Sequence, residues 1–163
     1  MMTIKLQTEK KINSYKTAKK QLDALLENET DTILKMATIN AVLKQQLPYI
    51  YWVGFYIADI HKQSLSVGPY QGTIACMHIT YGKGVCGSVA LSQKTKIVKD
   101  VTILAEGEDH ITCDPNSKSE IVVPVFNKQQ QLIAVLDLDS EEFDAFDEID
   151  QKFLEGILSV FQH

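Results

Sequence analysis

Three cysteines and a nearby set of acids are the residues of this 163-residue chain best equipped for chemistry. Cys113 stands in the middle of Glu106 to Glu120, EGEDHITCDPNSKSE, a polar stretch without periodicity that turns at Asp114-Pro115-Asn116. A loop of about 15 residues with no structure of its own is uncommon in a compact domain and is usually functional or disordered. The expectation is a reactive thiolate at Cys113, offered by this loop to a small polar substrate. Cys86 lies in the run G-K-G-V-C-G at positions 82 to 87, in the first turn of a predicted helix. There the helix dipole and free amides would lower a thiol pKa. Cys76 lies in the alternating segment Thr73 to Thr80. Each cysteine also has a plain alternative, a small buried hydrophobe.

Together the three fit a redox cycle. A thiolate attacks an oxidised sulfur and is left as a sulfenic acid. A second cysteine condenses with it to a disulfide, and an external dithiol resets the pair. The resolving partner needs a Cα that can come within about 7 Å of the first. Spacing alone leaves both Cys76 and Cys86 open for that role.

The acids point the same way. Asp137 and Asp139 are two apart on an apolar strand, so they share a face at a separation of about 6.6 Å, with Leu136 and Leu138 turned to the core. A hairpin with its loop at Asn127 to Gln130 pairs Phe126 with Gln131 and sets Glu120 opposite Asp137. Like charges across a sheet are destabilising, so the patch should bind a cation or share a proton. The ammonium of an amino acid suits it, and a protonated carboxyl suits a reaction in which an oxygen leaves as water. The plain alternative is an exposed strand end. Metal ligation by Cys76-x-His78 and His110-x-x-Cys113 is disfavoured because neither spacing is a common zinc pattern, so no metal is expected. No G-x-S-x-G elbow exists, and a Cys-His hydrolase built on His110 leaves two cysteines unexplained.

The elements that must position these groups follow from periodicity. Residues 8 to 27 and 31 to 47 read as two amphipathic helices, the second stopped by Pro48. From Tyr49 the period becomes two, and the strand has two apolar faces. Tyr51, Val53, Phe55 and Ile57 share one, while Ile50, Trp52, Gly54 and Tyr56 share the other. One face serves a core. The other, with Trp52 beside Gly54 and Tyr56, suits a pocket wall, although core packing of Trp52 explains it too. Strands follow at 65–70, 73–80, 96–99, 121–126 and 132–138, with a short helix ending at Leu91 and a last amphipathic helix at 146–161. Meandering strands with helices at the chain ends predict an α+β fold. It would be one domain over 1–163, with helices in 1–47, the sheet and active-site loop in 49–139, and the last helix packed on the same face as the first two.

Composition excludes several classes. The chain is 45% hydrophobic and 23% charged with a net charge of −5. Its early lysines look like a solvated helix face, so nucleic-acid binding is disfavoured. No apolar run approaches a membrane span, and the N-terminus lacks a signal-peptide core. The expected location is the cytoplasm.

Several segments resemble the free methionine-R-sulfoxide reductases, which are GAF-domain enzymes. They are W-x-G-F-Y at 52–56, G-P-Y-Q-G at 68–72 leading to I-A-C at 74–76, and G-K-G-V-C-G at 82–87. Further on come H-I-T-C-D at 110–114, S-E-I-V-V-P at 119–124 and V-L-D-L-D-S at 135–140. The resemblance implies a GAF-like antiparallel sheet of about six strands. It implies Cys113 as nucleophile, Cys76 as the usual resolving partner and Cys86 as a participant in disulfide exchange. It implies Trp52 and Tyr56 against the methyl-sulfoxide end of the substrate, and Glu120, Asp137 and Asp139 for its ammonium and for protonating the departing oxygen. The implied reaction is reduction of free L-methionine (R)-S-oxide, with thioredoxin as reductant, no bound cofactor, and room for a homodimer. The competing expectations are a GAF module that senses a small ligand without catalysis, and a thiol redox sensor without a sulfoxide substrate.

Overall fold

The computed structural model describes residues 2–104 and 113–163, with side chains from residue 4 onward. Ten main elements run in chain order: α1 (Met2–Leu25), α2 (Thr32–Gln46), β1 (Trp52–Asp59), β2 (Ser64–Gln71), β3 (His78–Thr80), α3 (Gly84–Ser92), β4 (Lys96–Val98), β5 (Ser119–Phe126), β6 (Leu132–Ser140) and α4 (Glu148–Leu158). Short 3-10 turns follow β4 at Val101–Ile103 and α4 at Ser159–Gln162. Among the described residues no helix is long and apolar enough to cross a membrane.

The six strands form one sheet in the order β3-β2-β1-β6-β5-β4, every neighbouring pair antiparallel. This is the α+β architecture expected from the meander. The alternation of β1 sorts its residues between two cores. Val53 and Phe55 join Leu136, Leu138, Ile121 and Val123 under α1, α2 and α4. Trp52 and Tyr56 join Val85, Cys86, Val89, Val122 and Val135 on the opposite face, under α3. Helix α1 docks through Tyr15, Ala18 and Leu22, with Leu26 just past its end, all buried at helical spacing. Helix α2 starts where Asp31 accepts a hydrogen bond from the Leu34 N–H at 2.9 Å, and α4 starts in a capping box at Asp147.

Three local expectations need correction. The hairpin pairs Phe126 with Leu132 and Glu120 with Asp139, not Phe126 with Gln131 and Glu120 with Asp137. An irregularity between Val125 and Phe126 absorbs the difference. From Glu120 to Val125 the shift is two residues, so those side chains keep their face and the acids remain clustered, while at Phe126 it is one. Residues 73–77 do not extend a strand, because only His78–Thr80 pairs with Ser64–Ser66. Thr73 is instead drawn into the site by its carbonyl and hydroxyl. Helix α4 begins at Glu148, and Phe146 precedes it as a buried core residue.

Candidate functional site

The site is a cleft on the α3 face of the sheet, enclosing about 590 Å³ with solvent included. Its floor comes from the central strands. Antiparallel pairing sets Trp52, Asp139 and Glu120 in one row across β1, β6 and β5, and sets Gly54, Asp137 and Val122 in the next. Asp137 and Asp139 therefore rise from one strand on the same side, and Glu120 enters from the neighbouring strand.

Aromatic residues form the wall. Trp52 is 5% exposed and stacks on Tyr70 at 5.3 Å and on Tyr56 at 5.9 Å between ring centroids. Gly54 makes this possible. A Cβ there would lie 2.4 Å from Tyr70 Cβ and 2.5 Å from Trp52 Cη2, so any side chain would evict the indole. The indole N–H donates to the Thr73 carbonyl at 2.9 Å, leaving the ring no unpaired donor in its apolar slot.

At the mouth of the cleft, Cys76 and Cys113 are joined in a disulfide with a Cα–Cα distance of 5.5 Å. Cys113 is exposed and Cys76 half-buried. Cys86 is the remaining free cysteine and is buried. Asp114, next to Cys113, clasps the two cysteine-bearing segments together. Its Oδ2 accepts from the Thr73 hydroxyl at 2.5 Å and from the Tyr51 hydroxyl at 2.9 Å, while its Oδ1 accepts from the Asn116 N–H at 2.9 Å. Hydrogen bonds from Thr73 and Asn116 hold its carboxyl below the usual carboxylate range. His110, considered above as a ligand or base, lies outside the described residues, as does the loop from 105 to 112.

The acids are crowded and dry. Glu120 and Asp137 are each 6% exposed and Asp139 is half-buried. Burial, and then the charge of a neighbouring acid, raises the pKa of all three well above the carboxylate range: Asp137 acts on Glu120, Asp139 on Asp137, and Glu120 on Asp139. Asp139 accepts from the Ser117 hydroxyl at 2.7 Å. Asp137 Oδ1 is buried with no hydrogen-bond partner. Burial and then Asp137 push up the Tyr56 phenol, which therefore stays a donor. The expected activation of Cys86 by α3 is reversed. Its thiol is pushed up, first by burial and then by the charges of Asp137 and Glu120, which outweigh the helix amides.

The structure thus brings Trp52, Tyr56, Cys86, Cys113, Glu120, Asp137 and Asp139 to one cleft, with Cys76 attached through its disulfide. Sequence reasoning missed Tyr51, Thr73 and Ser117, and it took Asp114 only as a turn residue. Its position beside the loop cysteine was the available signal. Cysteine-histidine ligation has no support among the described residues, because Cys76 and Cys113 hold each other and the His78 ring lies beside the Ser66 hydroxyl at 3.1 Å.

Comparison with known proteins agrees with this architecture. The GAF domain family matches residues 37–161, and the six-stranded sheet with its flanking helices is a GAF domain. GAF domain-containing protein A of Dictyostelium discoideum is 42% identical over 153 residues, covering 94% of this chain and 93% of that protein. The free methionine-R-sulfoxide reductase of Escherichia coli is 36% identical over 152 residues, covering 93% and 88%. The X-ray structure of free methionine-R-sulfoxide reductase from Neisseria meningitidis in complex with its substrate matches with a TM-score of 0.84 and 38% identity, over 91% of this chain and 86% of that one. The chain belongs to the free methionine-R-sulfoxide reductase family, a family of GAF-domain enzymes.

Proposed function

We propose that this protein reduces free L-methionine (R)-S-oxide to L-methionine, with Cys113 as nucleophile and Cys76 as resolving cysteine. The observation that carries this reading is the Cys76–Cys113 disulfide at the mouth of a cleft floored by three acids whose pKa values are raised by burial and by one another's charge. Membership of the reductase family supports the substrate class.

The cycle balances as follows. The Cys113 thiolate attacks the sulfoxide sulfur. A proton from the Glu120–Asp137 pair neutralises the sulfoxide oxygen as it passes to Cys113. Methionine leaves, two electrons richer at sulfur, and Cys113 is left as a sulfenic acid. The Cys76 thiol then displaces that oxygen as water and forms the disulfide. A thioredoxin-type dithiol reduces the disulfide and is itself oxidised. Side chains and this external dithiol suffice, so no bound cofactor enters the cycle. A compartment rich in such reductants fits the cytoplasm.

Burial explains how a carboxyl can hold a proton near neutral pH for this task. Trp52 and Tyr56 offer an apolar wall to the methyl-sulfoxide end. The acids left ionised accept the α-ammonium, which a peptide bond would abolish, and this favours the free amino acid.

The test is turnover of both epimers of free methionine sulfoxide with thioredoxin, thioredoxin reductase and NADPH. Wild type should consume the R epimer, and Cys113→Ser should be inactive. Equal rates would remove Cys113 as nucleophile. No turnover of either epimer would end the reductase reading. A peptide map after one turnover should join residues 76 and 113.

A further inference from the structure

The disulfide chemistry leaves Cys86 without a task. The residue is 5% exposed, and Sγ lies 4.0 Å from Glu120 Oε1. Asp137, whose Oδ1 is buried with no hydrogen-bond partner, belongs to the same cluster. One ligand atom from each of Cys86, Glu120 and Asp137 can be chosen so that all lie within 4.8 Å of one another. A substrate ammonium would use the two carboxylates, but it gains nothing from a thiol.

We propose that Cys86, Glu120 and Asp137 form a binding site for a thiophilic divalent cation, of the zinc type, on the floor of the cleft. One soft sulfur and two carboxylates converge from three rigid elements: Cys86 from α3, Glu120 from β5 and Asp137 from β6. Around a tetrahedral zinc, with bonds of roughly 2.3 Å to sulfur and 2.0–2.2 Å to oxygen, ligand atoms sit about 3.5 Å apart. Side-chain rotations closing the set by about an ångström would reach that geometry. The fourth position opens into the cleft, where water or a substrate group can fill it. Calcium and magnesium are poor candidates, because they favour all-oxygen shells of six or more ligands. Thiolate selects the softer metals. Binding takes the sulfur as thiolate, so it releases the thiol proton, and the dication supplies the positive charge that the buried acids lack. Resting on the reductase reading, a further consequence is competition: metal and substrate ammonium need the same carboxylates, so the metal inhibits reversibly.

The probe is cadmium, titrated into the full-length protein in its oxidised form, where Cys86 is the only free thiol. Wild type should take up one equivalent and develop thiolate-to-cadmium charge-transfer absorption in the ultraviolet. Zinc should displace it and magnesium should not. Cys86→Ser should lose the absorption. Asp137→Asn, which keeps the thiol, should weaken binding by more than about tenfold, since even outer-sphere partners tune metal affinity on that scale. No absorption in wild type, or unchanged affinity in Asp137→Asn, overturns the site. Protein that binds cadmium but never turns over sulfoxide keeps this inference and ends the reductase reading. Active reductase without a cadmium signal does the reverse.

Discussion

Two groups of buried acid sit on opposite faces of the same sheet and behave in opposite ways. Asp150, at the start of α4, is fully buried and fully partnered. It accepts from the Tyr15 hydroxyl at 2.7 Å, the Tyr49 hydroxyl at 2.6 Å, the Lys11 ammonium at 2.7 Å and the Asp147 N–H at 2.8 Å. Lys11 and Tyr15 belong to α1, so this carboxylate ties the first helix to the last. Asp137, nearly as buried, faces other acids and has an oxygen with no partner. One site is complete without any ligand. The other becomes electrostatically complete only when a cation or a proton arrives. Burial of a carboxylate therefore does not by itself mark chemistry. What marks it is burial without compensation.

This contrast can be broken at either end. The largest stability loss is expected for Asp150→Ala, which removes the common acceptor of Tyr15, Tyr49 and Lys11. Breaking one side of a buried charged network costs about 3–5 kcal/mol, readable by urea denaturation, with little direct effect on the chemistry of a folded cleft. Asp137→Asn should do the opposite. Its turnover should fall by about 10²-fold or more, the scale of a lost acid catalyst, while its denaturation midpoint stays level or rises. A loss of stability equal to that of Asp150→Ala would collapse the distinction.

The smallest effect is a change in pH dependence. Burial and the charge of Asp137 raise the folded-state pKa of Glu120 above its unfolded value of about 4.3. The folded protein then holds a proton that the unfolded chain has lost, so stability falls as pH rises from that value through the folded pKa. Glu120→Gln removes this contribution. Its stability relative to wild type should grow with pH across that window, by at most about 1.4 kcal/mol per pH unit. A flat difference across denaturation curves at several pH values would mean that Glu120 titrates normally.

Much of the cleft was legible because a strand has a fixed period. Once 52–58 and 132–139 are strands, Trp52 must share a face with Tyr56, and Asp137 with Asp139. The exact register was not legible. It depends on an irregularity at Val125 and Phe126, and the sequence there shows no glycine to announce it. The segment 73–77 misled because alternation of apolar residues is also compatible with a loop held by side chains, here by Trp52 and Asp114. Helix position alone predicted an activated Cys86. Its actual environment is set by acids 34 and 51 residues further along the chain, too distant for local rules. The Asp150 network was invisible for the same reason, since nothing in the spacing links Tyr15 to Asp150.

The alternation of β1 has a consequence for design. Val53 and Phe55 answer to the helices, while Trp52 and Tyr56 answer to the cleft. The strand is thus a two-sided part whose sides can be edited separately. Wall residues can be exchanged to admit a longer or differently branched thioether oxide while the helical side stays fixed. Gly54 sets the boundary of that freedom: it must remain bare for as long as an indole lies across it.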